Sequence, residues 1–196
     1  MDRLLKTFWA YLEIYSVRIL PTLVIGIIIE VVFLFILKKS VKYKEKPVWT
    51  VTCGTFLSLA IAAIIVMTLY DRIPGTKYSF RLQLFGSYIE SFRERDVETL
   101  LQIIMNIVMF VPVGLFLPCC FRKFERNRFV LLGAFFLSGA IEVIQGITKI
   151  GMFEFDDVLG NVLGAEIGFG IYWILGKIFR KVKLGRRGNS NEKNRS

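Results

Sequence analysis

Long apolar stretches, separated by short polar ones, run along this chain of 196 residues. Five of the stretches are about 20 residues long, which is the length an α-helix needs to cross the hydrocarbon core of a bilayer. They are Ile19–Leu37, Trp49–Tyr70, Leu100–Pro118, Phe129–Ile147 and Val158–Phe179. The pattern predicts an all-α integral membrane protein with five transmembrane helices.

The ends of the chain follow a different pattern. The apolar stretch Phe8–Tyr15 contains Glu13 and is too short to span a bilayer, so it predicts an amphipathic helix at the interface. Residues after Leu184 are polar and predict a disordered tail. We expect an interfacial segment (1–18), two transmembrane helices (19–70), an outer loop with three more transmembrane helices (71–179) and a basic tail (180–196).

Basic residues divide unevenly among the connections. The loop after the first span and the loop after the third are rich in Lys and Arg, as is the tail. The loops after the second and fourth spans carry at least as many acidic residues as basic ones. Because positively charged loops stay in the cytoplasm, we expect the N-terminus outside and the C-terminus in the cytoplasm.

The net charge of +10 then lies mainly on the cytoplasmic face, against anionic lipid head groups. The basic residues flank the spans and form no folded basic surface, so the sequence does not favour a nucleic-acid partner. The chain has no His, which excludes zinc sites with His ligands. The three cysteines form no Cys-x-x-Cys pair and are interpreted as small apolar residues.

Polar side chains recur in the parts of the last three spans that this topology places on the outer side. Such groups are costly in a bilayer and commonly mark functional sites. Ser138, Glu142 and Gln145 share one helix face because they are spaced by four and three residues. The predicted polar cluster comprises Asn106, Ser138, Glu142, Gln145, Glu154, Asp156, Asp157 and Asn161, together with Arg81 of the second loop.

Glu142 carries the most weight, since a carboxyl within a span needs a partner or stays protonated. Asn106 and Gln145 have a simpler interpretation as interhelical hydrogen bonds. Asp156 and Asp157 equally suit the capped N-terminus of the fifth helix.

The second loop alternates apolar and polar residues over Phe80–Phe85, which predicts a short extended segment. This segment could cover the polar cluster, with Arg81 as a counter-charge for acidic groups or for an anionic substrate. A plain interfacial loop is the alternative.

Small residues predict where helices approach each other closely. Gly160, Gly164 and Gly168 form a ridge with four-residue spacing, which we expect to pack against the fourth span or against a second copy of the chain. Pro112 lacks an N–H group and, with Gly114, could bend the third span beside the polar residues.

Two further carboxyls, Glu30 and Glu166, lie near the middle of the first and fifth spans. No basic residue lies deep in a span to neutralise them, so we expect them to be protonated or to face a polar cavity. Neither is expected to join the polar cluster.

Three separated motifs carry a family resemblance. They are Asn106 followed by Pro112 and Gly114, then Ser138, Glu142 and Gln145, then Asp156, Asp157, Asn161, Gly164 and Gly168. In this order they resemble the VanZ-like family of small bacterial membrane proteins. The chain departs from the family pattern at Met152, where a basic residue is usual, and at Glu154, where an Asp is common.

The resemblance implies a protein of the bacterial plasma membrane that lowers susceptibility to teicoplanin-type glycopeptide and lipoglycopeptide antibiotics. Our first hypothesis is a non-enzymatic factor, without cofactor or metal, whose outward polar site binds a lipid-linked cell-wall intermediate or the antibiotic. One alternative is an intramembrane enzyme that acts on a lipid or cell-wall precursor, with Glu142 as general base and Mg²⁺ or Ca²⁺ held by Glu154, Asp156, Asp157 and Asn161. Another is a small proton-coupled transporter that uses Glu30, Glu142 and Glu166.

Overall fold

The computed structural model describes residue 9 and residues 17–70, 80–81, 84–86, 88–89, 93, 96–151 and 153–193. Its helices are α1 (Ile19–Leu37), α2 (Val41–Glu45), α3 (Pro47–Leu69), α4 (Val97–Cys120), α5 (Asn127–Thr148) and α6 (Phe155–Lys193). Two short strands, β1 (Phe80–Arg81) and β2 (Phe153–Glu154), and one 3-10 turn (Arg122–Glu125) complete the described elements.

Five helices in this described part are long and apolar enough to cross a membrane, namely α1, α3, α4, α5 and the part of α6 up to Lys181. The prediction of an all-α membrane protein with five spans is confirmed. Helix α1 has the predicted bounds, and the other four begin two or three residues before the apolar stretch does. Residues before the apolar stretches explain two of these earlier starts. Pro47 suits the first turn of α3, and the Asp96 side chain caps α4 by accepting from Glu98 N at 3.0 Å.

Contacts between the helices fix their relative directions. Gln145, near the end of α5, contacts Thr68, near the end of α3. Asn161, near the start of α6, contacts Ser138 of α5. Helices α4 and α6 run parallel, because successive glycines of α6 meet successive turns of α4. We call the end that carries Glu154 the acidic end, and the opposite one the basic end.

The glycine ridge of α6 packs against α4. A Cβ on Gly164 or Gly168 would overlap the carbonyl oxygen of Ile107 or Val111, so the two backbones are in direct contact there. Gly114 of α4 faces the backbone of Ala165 in the same way. The expectation that the ridge packs against the fourth span is therefore wrong: small residues on both α4 and α6 allow this closer approach.

Large apolar side chains remain exposed along the bundle, as they do on Ile27, Val32 and Phe35 of α1. Helix α1 buries few of its residues and packs on α3, where Gly54 faces the side chain of Leu37. A helix that is apolar on all sides is suited to lipid, which supports a transmembrane position for α1.

The basic end is held together by contacts between its two loops. Lys42 of α2 pairs with Glu125 of the 3-10 turn, and Ser40 Oγ donates to the carbonyl of Cys120 at 2.7 Å. Burial alone would lower the pKa of Lys42, but the hydrogen bond and charge of Glu125 outweigh it and raise that pKa above its ordinary value. The first loop is therefore fixed to the third.

The predicted disordered tail after Leu184 is wrong as far as Lys193, because α6 continues to that residue. The transmembrane part supplies the nucleus, so each further residue adds a hydrogen bond without a new nucleation cost. The expected interfacial segment over residues 1–18, with its helix over Phe8–Tyr15, lies outside the described residues except for Trp9, Val17 and Arg18.

Candidate functional site

Glu142 is the central polar residue of the acidic end. It lies on α5, is only 2% exposed, and its Oε2 accepts a hydrogen bond from Glu154 N at 3.0 Å. The backbone of β2 therefore folds over the end of α5 and supplies a donor to a carboxyl group inside the bundle. Bonds of this kind offset part of the cost of removing a carboxylate from water.

One helical turn before Glu142, a hydrogen bond joins α5 to α6. Asn161 Nδ2 donates to Ser138 Oγ at 2.7 Å, and both side chains are buried. The other polar atom of this amide, Asn161 Oδ1, is buried without a hydrogen-bond partner.

Gln145 joins α5 to α3. Its Nε2 donates to the carbonyl of Thr68 at 2.9 Å, and Gln145 is 5% exposed. Because α3 ends at Leu69, this carbonyl belongs to the last turn and has no partner within its own helix. Gln145 thus satisfies a helix end that would otherwise be unpaired in an apolar environment.

The described residues of the outer loop contact the same region through β1 and through Phe85. Strands β1 and β2 pair in parallel, with Arg81 opposite Glu154. Phe85 N donates to Asp156 Oδ1 at 2.7 Å, and Phe85 has a positive φ of 60°, which is rare for a bulky residue. Asp156 is 3% exposed, so its carboxylate fixes the loop from a buried position.

Tyr88 and Asn106 meet at the seam between α4 and α6. A Cβ on Gly160 would stand 3.4 Å from the Tyr88 hydroxyl and 3.6 Å from Asn106 Cβ. Burial raises the pKa of Tyr88, and the charges of Asp156 and Asp157 raise it further, so the hydroxyl stays neutral. Asn106 Nδ2 is buried there without a hydrogen-bond partner.

Residues 55–176 of the chain match the model of the VanZ/LLP1 family. The chain belongs to this family. It is also similar to "Protein VanZ" of Enterococcus faecium, with 27% identity over 144 residues, which cover 68% of this chain and 84% of the relative. No solved structure matches.

The family membership expected from the motifs is confirmed, and the matched range contains every residue of the polar cluster. The range begins in α3, earlier than the motifs alone indicated. At the family level, this is a multi-pass membrane protein linked to teicoplanin resistance.

In this VanZ/LLP1 chain, the structure brings most of the expected cluster to one end. Asp157 lies beside Asp156 and is half-buried. The side chain of Arg81 lies outside the described residues. The cluster residues whose hydrogen bonds or unpaired buried atoms are described above are Asn106, Ser138, Glu142, Gln145, Glu154, Asp156 and Asn161.

Sequence reasoning missed Thr68, Phe85 and Tyr88. Thr68 and Phe85 contribute backbone groups, which leave no signal in the identity of the side chain. Tyr88 did leave one, since an aromatic residue with a hydroxyl group beside a membrane span suits the boundary between apolar and polar surroundings.

The alternative metal site on Glu154, Asp156 and Asp157 lacks a common donor geometry. Within the described ranges, no group of three or more His, Cys, Asp or Glu residues comes together in a way that could hold a metal ion. Asp156 accepts from the Phe85 backbone, and Glu154 meets Glu142 through its own backbone N–H.

Glu30 and Glu166 lie apart from the cluster. Thr55 Oγ1 donates to Glu30 Oε1 at 3.0 Å, and Asn127 Nδ2 donates to Glu166 Oε1 at 2.8 Å. Asn127 is the first residue of α5 and therefore belongs to the basic end. In each carboxyl the second oxygen is buried without a hydrogen-bond partner.

Proposed function

We propose that this chain lowers bacterial susceptibility to teicoplanin-type glycopeptide and lipoglycopeptide antibiotics through the polar cluster at the acidic end. The cluster faces the outside of the plasma membrane and binds a lipid-linked cell-wall intermediate or the antibiotic itself. Membership in a family linked to teicoplanin resistance supports the antibiotic part of the proposal.

The observation that carries the proposal is the burial of Glu142. A charged side chain at the centre of a transmembrane helix costs roughly 2.5–3.5 kcal/mol on insertion scales. This chain nevertheless places a carboxyl on apolar helix α5, where it accepts a hydrogen bond from the backbone of β2. Its neighbours on the same helix face, Gln145 and Ser138, bond to α3 and α6. Such an investment in one layer supports a binding site for a polar group at the membrane surface.

The distribution of charge supports an outward direction for this site. Lys42, Lys44 and Arg122 lie at the basic end, on the connections between α1 and α3 and between α4 and α5. By the positive-inside rule these connections are cytoplasmic. The acidic end then meets the compartment in which a wall-directed antibiotic acts.

The test is teicoplanin susceptibility of a Gram-positive host that expresses the wild-type chain, Glu142→Gln or Glu166→Gln. Glutamine keeps an oxygen that can accept from Glu154 N, so Glu142→Gln removes the ionisable group while preserving the local fold. Glu166→Gln is the matched control, because it makes the same change at a carboxyl outside the cluster. Membrane levels are compared by blotting.

We expect the wild-type chain and Glu166→Gln to raise the inhibitory concentration, and Glu142→Gln to give the value of cells with empty vector. Protection by Glu142→Gln equal to that of wild type, at equal membrane levels, would show that the cluster is not the functional site.

A further inference from the structure

We propose that the basic end carries a binding site for an anionic phospholipid, formed by Lys123, Arg128 and Phe129 where the third loop enters α5. We call these three residues the basic ring site. Its selectivity comes from two cations placed against one aromatic ring, and not from the net charge of the basic end. The site lies at the opposite end from the polar cluster, so its binding is independent of the proposed function.

One aromatic ring contacts both cations. Lys123 Nζ lies 4.8 Å from the centroid of the Phe129 ring, and Arg128 Cζ lies 5.0 Å from the same centroid. Contacts of this length are attractive, because the face of the ring is electron-rich. The two like charges repel each other, so an anion beside the ring is attracted by both and relieves their repulsion. Salt screens charges over about 8–10 Å, which leaves both cations effective at that position.

The other basic residues that contact this loop region are engaged with acids. Lys42 pairs with Glu125, and Arg122 Nη1 lies 3.9 Å from Glu45 Oε1. Within the part of the chain that the structure describes, neither cation of the basic ring site forms an ion pair, and both side chains are exposed. Their charges are therefore available to an anion from outside the chain.

The surface next to the ring fits a lipid better than a soluble phosphate. Phe129 belongs to the first turn of α5, which is long and apolar enough to cross a membrane. Leu132 and Phe136 follow at spacings of three and four residues, so they share its helix face, and both are exposed. A phosphodiester beside the ring would continue into acyl chains along this apolar stripe. A soluble phosphate ester would use the cations and leave the stripe uncovered.

Contact with the ring also prepares the two cations for binding. Lys and Arg side chains are flexible and lose much rotamer freedom when they are immobilised. Phe129 restricts both side chains before a lipid arrives, so a smaller entropy cost remains at the moment of binding. The affinity for the lipid therefore depends on the ring as well as on the charges.

This dependence separates the basic ring site from a general effect of positive charge. Lys123→Gln and Arg128→Gln each remove one cation. Phe129→Leu removes the ring but keeps both cations and an apolar side chain. Arg126→Gln is the matched control, because it removes one charge from an exposed residue of the same connection that has no ring contact or ion pair among the described residues.

Native mass spectrometry of the full-length chain in detergent measures the binding of dioleoyl phosphatidylglycerol and dioleoyl phosphatidylcholine. The two lipids share their acyl chains and a phosphate, but only the first has a net negative charge. We expect the wild-type chain to bind phosphatidylglycerol about tenfold more tightly, since two basic residues act on one head group. Lys123→Gln, Arg128→Gln and Phe129→Leu are each expected to lower this preference to about threefold or less, and Arg126→Gln to retain it.

Equal affinity of the wild-type chain for the two lipids would overturn the proposal. An equal loss of preference in Arg126→Gln and Lys123→Gln, with Phe129→Leu unchanged, would also overturn it and leave net charge as the cause. Glycerol phosphate at millimolar concentration tests the soluble source of the same chemistry: we expect it not to displace phosphatidylglycerol, and displacement would reject a lipid site. The susceptibility of Glu142→Gln reports separately on the proposed function.

Discussion

Four buried polar side chains at the acidic end bond to four different parts of the chain. Glu142 reaches β2, Gln145 reaches α3, Asn161 reaches α5 and Asp156 reaches the outer loop. In apolar surroundings, water does not replace a broken bond of this kind, so each contact is costly to lose. The cluster therefore fixes the positions of the loops as well as those of the helices.

Asp156 is the residue whose loss should act most directly on the outer loop. We expect Asp156→Ala to speed amide hydrogen exchange at Phe85 by about tenfold or more, because hydrogen bonds to charged groups contribute about 1.5–3 kcal/mol. Hydrogen exchange with mass spectrometry measures this rate. Asp157→Ala, at the neighbouring half-buried position, is the control, and an unchanged Phe85 rate in Asp156→Ala would contradict the assigned bond.

At the residue scale, the sequence predicted which polar side chains lie together better than it predicted which groups they bond to. The spacing of Ser138, Glu142 and Gln145 placed them on one helix face, and the structure points all three into the protein. The partner of Glu142 is a backbone N–H of a loop, and a loop conformation depends on long-range contacts that no local pattern encodes. For the same reason β1 was predictable as an extended segment, but its pairing with β2 was not.

Helices α4 and α6 form the closest pair in the bundle. Gly164 and Gly168 of α6 lie in direct contact with the backbone of α4, and Asn106 of α4 lies beside Gly160 one turn earlier. In lipid, where apolar surfaces gain little from each other, close packing of small residues is a main source of helix association. The glycine ridge therefore fixes how α4 and α6 pack beside the polar residues.

We expect Gly164→Ala to destabilise the protein by about 1–3 kcal/mol, since an added methyl group would force α4 and α6 apart. Gly170→Ala on the same helix is the control, because a Cβ there meets nothing within 4 Å. Thermal unfolding in detergent micelles gives the comparison. A midpoint for Gly164→Ala equal to that for Gly170→Ala would mean that the contact with Ile107 does not hold the pair together.

At the element scale, the length of the apolar stretches predicted all five spans, and the Asp96 cap explains the earlier start of α4. The ridge was also visible in the sequence, but its partner helix was not. A row of glycines predicts that another helix approaches closely, but it does not identify that helix. Gly114 explains why the partner is α4. It has no side chain, so α4 can approach the backbone of Ala165 on α6.

For the whole molecule, the alternating directions of the helices place all basic connections at one end. Lys42 and Glu125 hold two of these connections together. The polar cluster and the described part of the outer loop lie at the other end. This division agrees with the charge pattern of the sequence. Which of the two ends faces the outside of the cell can be tested directly.

Labelling with a membrane-impermeant maleimide tests the orientation in intact cells. In a background with Cys53, Cys119 and Cys120 replaced by alanine, we expect Tyr70→Cys at the acidic end to be labelled. We expect Lys46→Cys at the basic end to be labelled only after the cells are permeabilised. The opposite pattern would place the polar cluster in the cytoplasm and remove the basis for contact with an external ligand.

Two requirements fix the rotation of successive residues around helix α6: its polar residues and its packing glycines must each face the right neighbours. Asp157 and Asn161 belong to the polar cluster, while Gly164 and Gly168 follow on nearly the same face and pack on α4. Inserting or deleting one residue between these pairs would turn one pair relative to the other by about 100°. Either the close packing or the hydrogen bonding would then be lost. We therefore expect that a one-residue insertion or deletion in this stretch of α6 is not tolerated, whereas length changes in the loops are.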